Sequence, residues 1–580
     1  MLTDLSNKKQ IPTGIDDYRK AVSSYYYVDK TLLIKDLMDR GSEVTLFTRP
    51  RRFGKSLNLS MIRAFFEKTD TDTSIYFKDK KIWQCGSDYT SKQGYYPVIY
   101  FNFKDMKKSS WEETLTGLKM IIALEFSRFG NLVRTAELED IHRILYDSIS
   151  RMEAPQAVLE GALQVLTQIV YKGTGILPVV LIDEYDAPIQ SGYANGFYNE
   201  AVTFMRNFLS SGLKTNEDIS FAVLTGVLRV SKESIFSSLN NVNVYSVLSE
   251  RFSEYFGFTK DEVRELLSYY GYADSYDAVS SWYDGYLFGS HEMFNPLSVL
   301  KFLEEGVLDI YWGNSSDTGL IGKMLLSASP NIKEQIKSLL DGTPVCVPVN
   351  ENIVYPKLMR GSNIFSLLLM SGYLKPAKGE IQHYAAPKKA PATKHMYVEI
   401  PNNEVRLVYI QDILDRFENI DASISDIWED ILSYNAESCE ELLRNYLINS
   451  VSYHDYGEDF CQGLVMGLCF YKDGEYIVDS NRESGLGRFD ICMEPTSPDL
   501  PGIVFEIESC KDQKGSETGR RTKSDSGKAG GALDKLAREA MEQIDTKMYC
   551  RNLKRRGITS IIKVGVSFSK KDVRVLIVRD

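Results

Sequence analysis

Gly54-Lys55-Ser56 is the tripeptide whose residue types and setting most directly suggest chemistry. It closes the stretch Arg49-Pro50-Arg51-Arg52-Phe53-Gly54-Lys55-Ser56-Leu57, which follows the apolar run Val44 to Phe47. After it, Leu57, Met61, Ile62, Phe65 and Phe66 recur at helical spacing. The order is strand, loop, helix. Such a loop holds phosphates: backbone N–H groups and a helix N-terminus meet the anion, Lys neutralises the outer phosphates, and the Ser hydroxyl reaches Mg²⁺. Arg51, Arg52, Phe53, Gly54, Lys55, Ser56 and Leu57 are the candidate cradle, although Arg49 stands where G-x-x-x-x-G-K-[ST] has its first Gly. A basic strand-to-helix turn on a solvated surface is the alternative for this loop taken alone.

A second motif adds weight. Val179-Val180-Leu181-Ile182 runs directly into Asp183-Glu184-Tyr185-Asp186 after the turn signal Gly173-Thr174-Gly175. A buried strand ending in acids supplies Asp183 to hold Mg²⁺ and Glu184 to polarise an attacking water. The other reading is a buried strand whose acids cap the next turn. A third apolar run, 219–226, ends in Thr225-Gly226. Thr225 is a candidate sensor of the γ-phosphate and Arg229 a source of positive charge; a strand terminus and a surface Arg are the alternatives. Together the motifs point to ATP with Mg²⁺.

These residues need a scaffold, and the chain is long enough for more than one domain at 580 residues. Hydrophobic content of 43% and charged content of 25% are those of a globular protein, and a net charge of -11 argues against a wholly basic nucleic-acid coat. No apolar run approaches the roughly 18 residues of a membrane span. The N-terminus has no signal-peptide core. Eight Cys and five His are scattered without a C-x-x-C pair, which speaks for a reducing cytoplasm and against a zinc site. The periodicity predicts helices over 31–38, 111–129, 136–152, 156–171 and 198–210, and a strand over 97–103. Strands alternating with helices indicate a parallel α/β sheet with the nucleotide at its carboxyl ends.

Several strings also match a known pattern. Ile11-Pro12-Thr13-Gly14, Tyr27-Val28-Asp29-Lys30-Thr31, Thr48 through Ser56, Leu181 through Asp186, Ser237-Ser238-Leu239-Asn240-Asn241 and Trp282-Tyr283-Asp284-Gly285-Tyr286 resemble the bacterial AAA-ATPase-like family. Its members commonly carry a C-terminal PD-(D/E)XK nuclease-like domain. The resemblance spans nearly the whole chain, and it makes the missing first Gly look like a family feature. Between the two parts, helices over 263–270 and 296–305 would form a lid. A helix near 366–371 with strands near 373–375 and 397–402 outlines a winged helix. Lys375, Lys378, Lys388, Lys389 and Lys394 could touch nucleic-acid phosphates there, or merely solubilise a loop. Residues 387–393 have linker composition.

In the C-terminal part the PD-(D/E)XK layout, read through that resemblance, falls on a helical Glu458, then Asp490, then Glu506. Such carboxylates bind Mg²⁺, and a Lys positions or activates water for phosphodiester cleavage. Alternation puts Glu506 and Glu508 on one strand face. The expected Glu-x-Lys reads Glu506-Ile507-Glu508, so the amine must come from elsewhere. Lys511 lies close but on the wrong parity. Lys547, one helical turn from Gln543, is the better candidate. Residues 514–531 form a Gly/Ser/Lys-rich insertion with the composition of an unpacked loop.

The expected fold is therefore α/β: a P-loop NTPase parallel sheet with helices on both faces, a helical and winged-helix-like middle region, and an α/β PD-(D/E)XK nuclease-like domain. The expected boundaries are 1–265, 266–404 and 405–580. The expected function is a cytoplasmic ATP hydrolase coupled to a nuclease-like domain acting on nucleic acid, DNA ahead of RNA. The alternative is a non-catalytic nucleotide-dependent switch with a degenerate nuclease domain. A membrane partner is not expected; a homo-oligomer is left open.

Overall fold

The computed structural model describes the chain outside residues 1–7, 231–240, 316–329, 341, 354–362, 378–393, 415–420, 451–464, 466–467, 470–471, 473–474, 481–482, 485–486, 489, 510–524 and 570–571. Glu458, Lys378, Lys388, Lys389, Lys511, the string 237–240 and the linker 387–393 therefore lie outside the described residues. The chain divides into two units, Met1–Asp317 with Pro344–Val405, and Thr318–Thr343 with Arg406–Asp580. Among the described residues no helix is long and apolar enough to cross a membrane.

In the first unit the apolar runs form β1 (Val44–Thr48), β2 (Val98–Asn102), β3 (Val179–Asp183), β4 (Phe221–Gly226) and β5 (Val242–Tyr245). They pair in parallel in the order β2-β3-β4-β1-β5. Every residue of β1 and β3 is buried, as a parallel sheet covered on both faces requires. β4 separates β1 from β3, so the phosphate-loop candidate and the acids leave the sheet at the same edge, about 10 Å apart by strand spacing. The helix Lys55–Phe66 packs across β2, β3 and β4.

Two helices differ from the periodicity. The one expected over 136–152 begins only at Asp140, as Asp140–Ser150, and a separate short helix Gly130–Thr135 precedes it. The one expected over 156–171 breaks into Gln156–Glu160 and Ala162–Thr174. Gly161 caps both pieces, a residue with a poor intrinsic helix propensity.

Beyond the sheet, Lys260–Tyr270 starts with a Thr259–Glu262 capping box. Pro296–Glu305 starts with Pro after an Asn295 cap. Their apolar faces meet around Leu266, Tyr270, Phe294 and Val299. The helix Asn363–Ser371 turns at Gly372 (φ 91°) into an antiparallel sheet whose middle strand is Lys394–Glu399, between Lys375–Pro376 and Val345–Val349. Helix and hairpin match the winged-helix outline; the third strand, Val345–Val349, was not in it. Lys375 is held by Glu399 at 3.2 Å, so its charge is already partnered.

The first unit ends at a buried carboxylate. Glu404 accepts hydrogen bonds from Tyr311 N (2.7 Å), Trp312 N (2.6 Å) and Ser298 Oγ (2.8 Å). Burial, above all, pushes its carboxyl up to about 7 from 4.5. A carboxyl raised in the folded state stabilises fully below its unfolded pKa, and that contribution is lost as pH rises through the folded one. Between pH 4.5 and 7 this group should thus lower unfolding free energy by about 3 kcal/mol. Glu404→Gln keeps the acceptor and the shape but not the titration. Urea unfolding at several pH values should show the variant gaining on the wild type by that amount across the window; parallel curves would refute it.

In the second unit β6 (Tyr476–Ser480), β7 (Ile491–Pro495), β8 (Gly502–Ser509), β9 (Ile561–Ser569) and β10 (Asp572–Arg579) form one sheet in that order. β8 and β9 are parallel and the other pairs antiparallel. The helix Asp525–Thr546 makes the crossover between β8 and β9, with Leu533, Ala537, Ala540 and Ile544 buried. A Cβ on Gly565 of β9 would lie 2.8 Å from Ala537 O, so glycine there lets the helix approach closely. This helix begins at Asp525, which overturns the expectation of an unpacked loop for 525–531; downstream packing offsets the poor helix propensity of its glycines. Val465, Leu468 and Cys469 are helical and buried in this unit's core.

Candidate functional site

The loop after β1 is shaped by two left-handed residues, Arg52 (φ 68°) and Gly54 (φ 78°). Gly54 caps the helix Lys55–Phe66, whose first amides have no partner within the helix and are free to meet an anion. The Lys55 side chain is buried, and its Nζ donates to Arg49 O (3.1 Å) and Pro50 O (2.8 Å). Burial draws its pKa below the ordinary value, against the opposing fields of Glu184, Asp183 and Asp186. The three acids ending β3 therefore act on the Lys55 amine across the intervening strand.

Arg49 explains the absent first Gly. Its guanidinium is fully buried, donates to Thr48 O (2.9 Å), Tyr245 O (2.8 Å) and Phe252 O (3.3 Å), and lies 5.0 and 5.2 Å from the ring centres of Phe256 and Phe288. Burial lowers its pKa to about 9. The side chain thus turns into the core and ties the ends of β1 and β5 to the segment that follows. Phe53 is buried against Tyr286 and Phe288, which leaves its backbone alone for a ligand. Arg52 is exposed, and Arg51 and Leu57 are half-buried. Arg51 donates to Gln190 Oε1 (3.1 Å), and Gln190 in turn donates to Asp186 (2.8 Å). Ser56 lines a polar cavity of about 210 Å³ with Ser60, Arg63, Tyr100 and Asn102.

The acids are fixed by a lattice of donors. Asp183 is fully buried and accepts from the Thr225 hydroxyl. Glu184 N donates to the same hydroxyl oxygen at 3.3 Å. Thr225 thus orients Asp183 and Glu184, and its one proton is already used. Glu184 sits at φ 50°, a left-handed conformation that non-glycine residues seldom adopt outside sites that need it. Burial pushes its carboxyl up, against the pull of Lys55. Asp186 accepts from Val227 N (3.1 Å), Leu228 N (3.0 Å) and Gln190. Arg229, in the short strand Arg229–Val230, is joined to this group by none of the interactions described.

Asn102 was missed. It ends β2 in register with Asp183 and donates to it at 3.4 Å, and to Tyr100 Oη at 3.2 Å. The signal was present: a polar residue closing an apolar strand, the same sign that singled out Thr225. The donor set fits a nucleotide with a divalent cation, since an amine and a helix N-terminus follow one strand of the sheet and a buried, pre-oriented carboxylate ends another at the same sheet edge.

In the second unit, Asp490 directly precedes β7 and Glu506 lies on β8. Pairing of Ile491 with Phe505 sets the two acids side by side. Asp490 N donates to Glu506 Oε2 (3.4 Å), and Ile507 N donates to Asp490 Oδ2 (2.7 Å). Burial first, then the charge of Asp490, pushes Glu506 up to about 8. A pair of crowded carboxyls that resists double ionisation is a donor set a divalent cation would relieve. Among the described residues no three His, Cys, Asp or Glu gather as a metal site; the third expected ligand, Glu458, lies outside them.

The candidate amine, Lys547, lies in the turn after the helix Asp525–Thr546 and is bonded to Gln543 rather than to either acid. Lys547 Nζ donates to Gln543 Oε1 (2.6 Å), and Gln543 Nε2 donates to Glu508 Oε1 (2.6 Å). Its pKa is raised by the Tyr549 hydroxyl and, more weakly, by Glu506 and Asp490. Glu508 thus helps to hold, through Gln543, an amine it cannot itself supply.

Residues 12–236 match the family model of a predicted AAA-ATPase, and residues 456–576 match that of the PD-(D/E)XK nuclease superfamily. An "uncharacterized protein in vnfD 5'region" of Azotobacter chroococcum mcd 1 is 27% identical over 323 residues, 53% of this chain and 54% of the relative. The chain thus matches about half the length of that protein. Its first unit carries an AAA-ATPase-like domain, and its second a domain of the PD-(D/E)XK nuclease superfamily.

Proposed function

We propose that the chain binds and hydrolyses ATP at Lys55 and that this cycle governs a metal-dependent action of the C-terminal domain on nucleic acid, DNA first. The observation that carries the ATP site is the Lys55 amine lying within the fields of Glu184, Asp183 and Asp186 at the carboxyl edge of a parallel sheet. Ser56 and Asp183 would hold Mg²⁺, which neutralises charge on the phosphate oxygens. Lys55 leaves the Arg49 and Pro50 carbonyls to meet the phosphates, and Glu184 accepts a proton from the attacking water.

At the second site Asp490 and Glu506 would hold the cation, with Glu458 as a third ligand, and Lys547 would donate to the phosphodiester. A second reading, a nucleotide-dependent switch that binds nucleic acid without cutting it, is favoured by the acid at 508. Calorimetric titration with Mg·ATP tests the first claim. Wild type should take up nucleotide, and Lys55→Ala should bind it about 30-fold more weakly or worse, the loss expected for a charged hydrogen bond. No uptake by wild type would refute it.

A further inference from the structure

The phosphate loop is gripped from outside the sheet. Trp312 is buried, and its Nε1 donates to Arg51 O at 3.1 Å. Pro50 packs against Gly372, where a Cβ would come within 2.9 Å of it. Phe53 packs on Tyr286, whose ring also meets that of Trp312. Three of the four residues 50–53 are thus fixed by parts of the chain more than 200 positions away.

The grip continues into the start of the helix Asn403–Leu414. Glu404 accepts both Tyr311 N and Trp312 N on one oxygen, and Ser298 Oγ donates to it. Glu404 lies in the first turn of the helix Asn403–Leu414, which Asn402 caps by accepting from Val405 N at 3.0 Å. The boundary between the two units falls inside this helix, between Val405 and Arg406.

We propose that Trp312 is a positioning residue of the phosphate loop, and that Glu404 carries loop movement from Trp312 into the helix Asn403–Leu414. The proposal rests on nucleotide binding at Lys55. There the Lys55 amine, released to a phosphate, leaves Arg49 O and Pro50 O without their donor, while Arg51 O stays tied to Trp312. The two states of the loop therefore differ in contacts next to the Trp312 bond, which is what a ligand needs in order to bias an attached element.

Hydrogen exchange of the full chain, with and without saturating Mg·ATPγS, tests it. In wild type, nucleotide should change exchange in peptides covering 403–414. Trp312→Phe removes the indole N–H donor and keeps an aromatic, though smaller, ring between Tyr286 and Tyr373; it should weaken nucleotide binding about 3- to 10-fold and abolish the 403–414 response at saturation. Ser298→Ala, which does not touch the loop, should leave affinity within about 2-fold and cut the response by at least half. It also keeps the test open should Trp312→Phe fold poorly. An unchanged 403–414 response in both variants overturns the link while leaving the nucleotide site standing. Failure of wild type to take up nucleotide overturns the site itself, and the link with it.

Discussion

Replacing Glu184 by Gln is expected to lower ATP turnover by about 100-fold or more, while Mg·ATP still binds within a few-fold of the wild-type affinity. The amide matches the carboxylate in size, so the left-handed backbone at φ 50° and its N–H bond to Thr225 should persist. What it lacks is a basic oxygen able to take a proton from water. Burial pushes the Glu184 carboxyl up, against the pull of Lys55, which makes it a stronger proton acceptor than an exposed glutamate. Phosphate release measured beside calorimetric affinity separates the two effects. Turnover that survives the substitution would remove Glu184 from the chemistry and leave the acids of β3 as structural caps.

The second large effect is expected at the nuclease-like site. Lys547→Met should reduce Mg²⁺- or Mn²⁺-dependent cleavage of DNA by about 100-fold or more. Adding Glu508→Lys to that variant should recover at least about 10-fold of the loss, because position 508 lies on the same face of β8 as Glu506. Glu508→Lys alone should give no gain: it places a second cation near Lys547 and takes away the acid that holds Gln543. Gel-based cleavage of labelled DNA by all four proteins decides it. If Lys547→Met cuts as well as wild type, the amine is not used. If wild type cuts nothing with either metal, the binding-only switch is the better account of the domain.

Much of the architecture was legible locally. The runs at 44–47, 179–182 and 219–226 became β1, β3 and β4 because continuous β-favouring apolar residues suit strands buried on both faces. The helix Pro296–Glu305 has its expected bounds because Asn295 and Pro296 start it and Gly306 (φ 72°) ends it. Less legible were the break at Gly161 and the start of the helix at Asp525, where the balance between glycine's helix cost and packing is set by distant neighbours.

The types of the reactive groups and the elements that bear them were written in the chain itself, since capping, turn chemistry and hydrophobic period act over a few residues. Folding alone decided that β4 lies between β1 and β3, that Thr225 serves Asp183, that Arg49 turns inward, and that Gln543 links Lys547 to Glu508 of another element. Those outcomes depend on which surfaces close-pack across hundreds of positions and on which buried donors must find acceptors. No local pattern in the sequence encodes either.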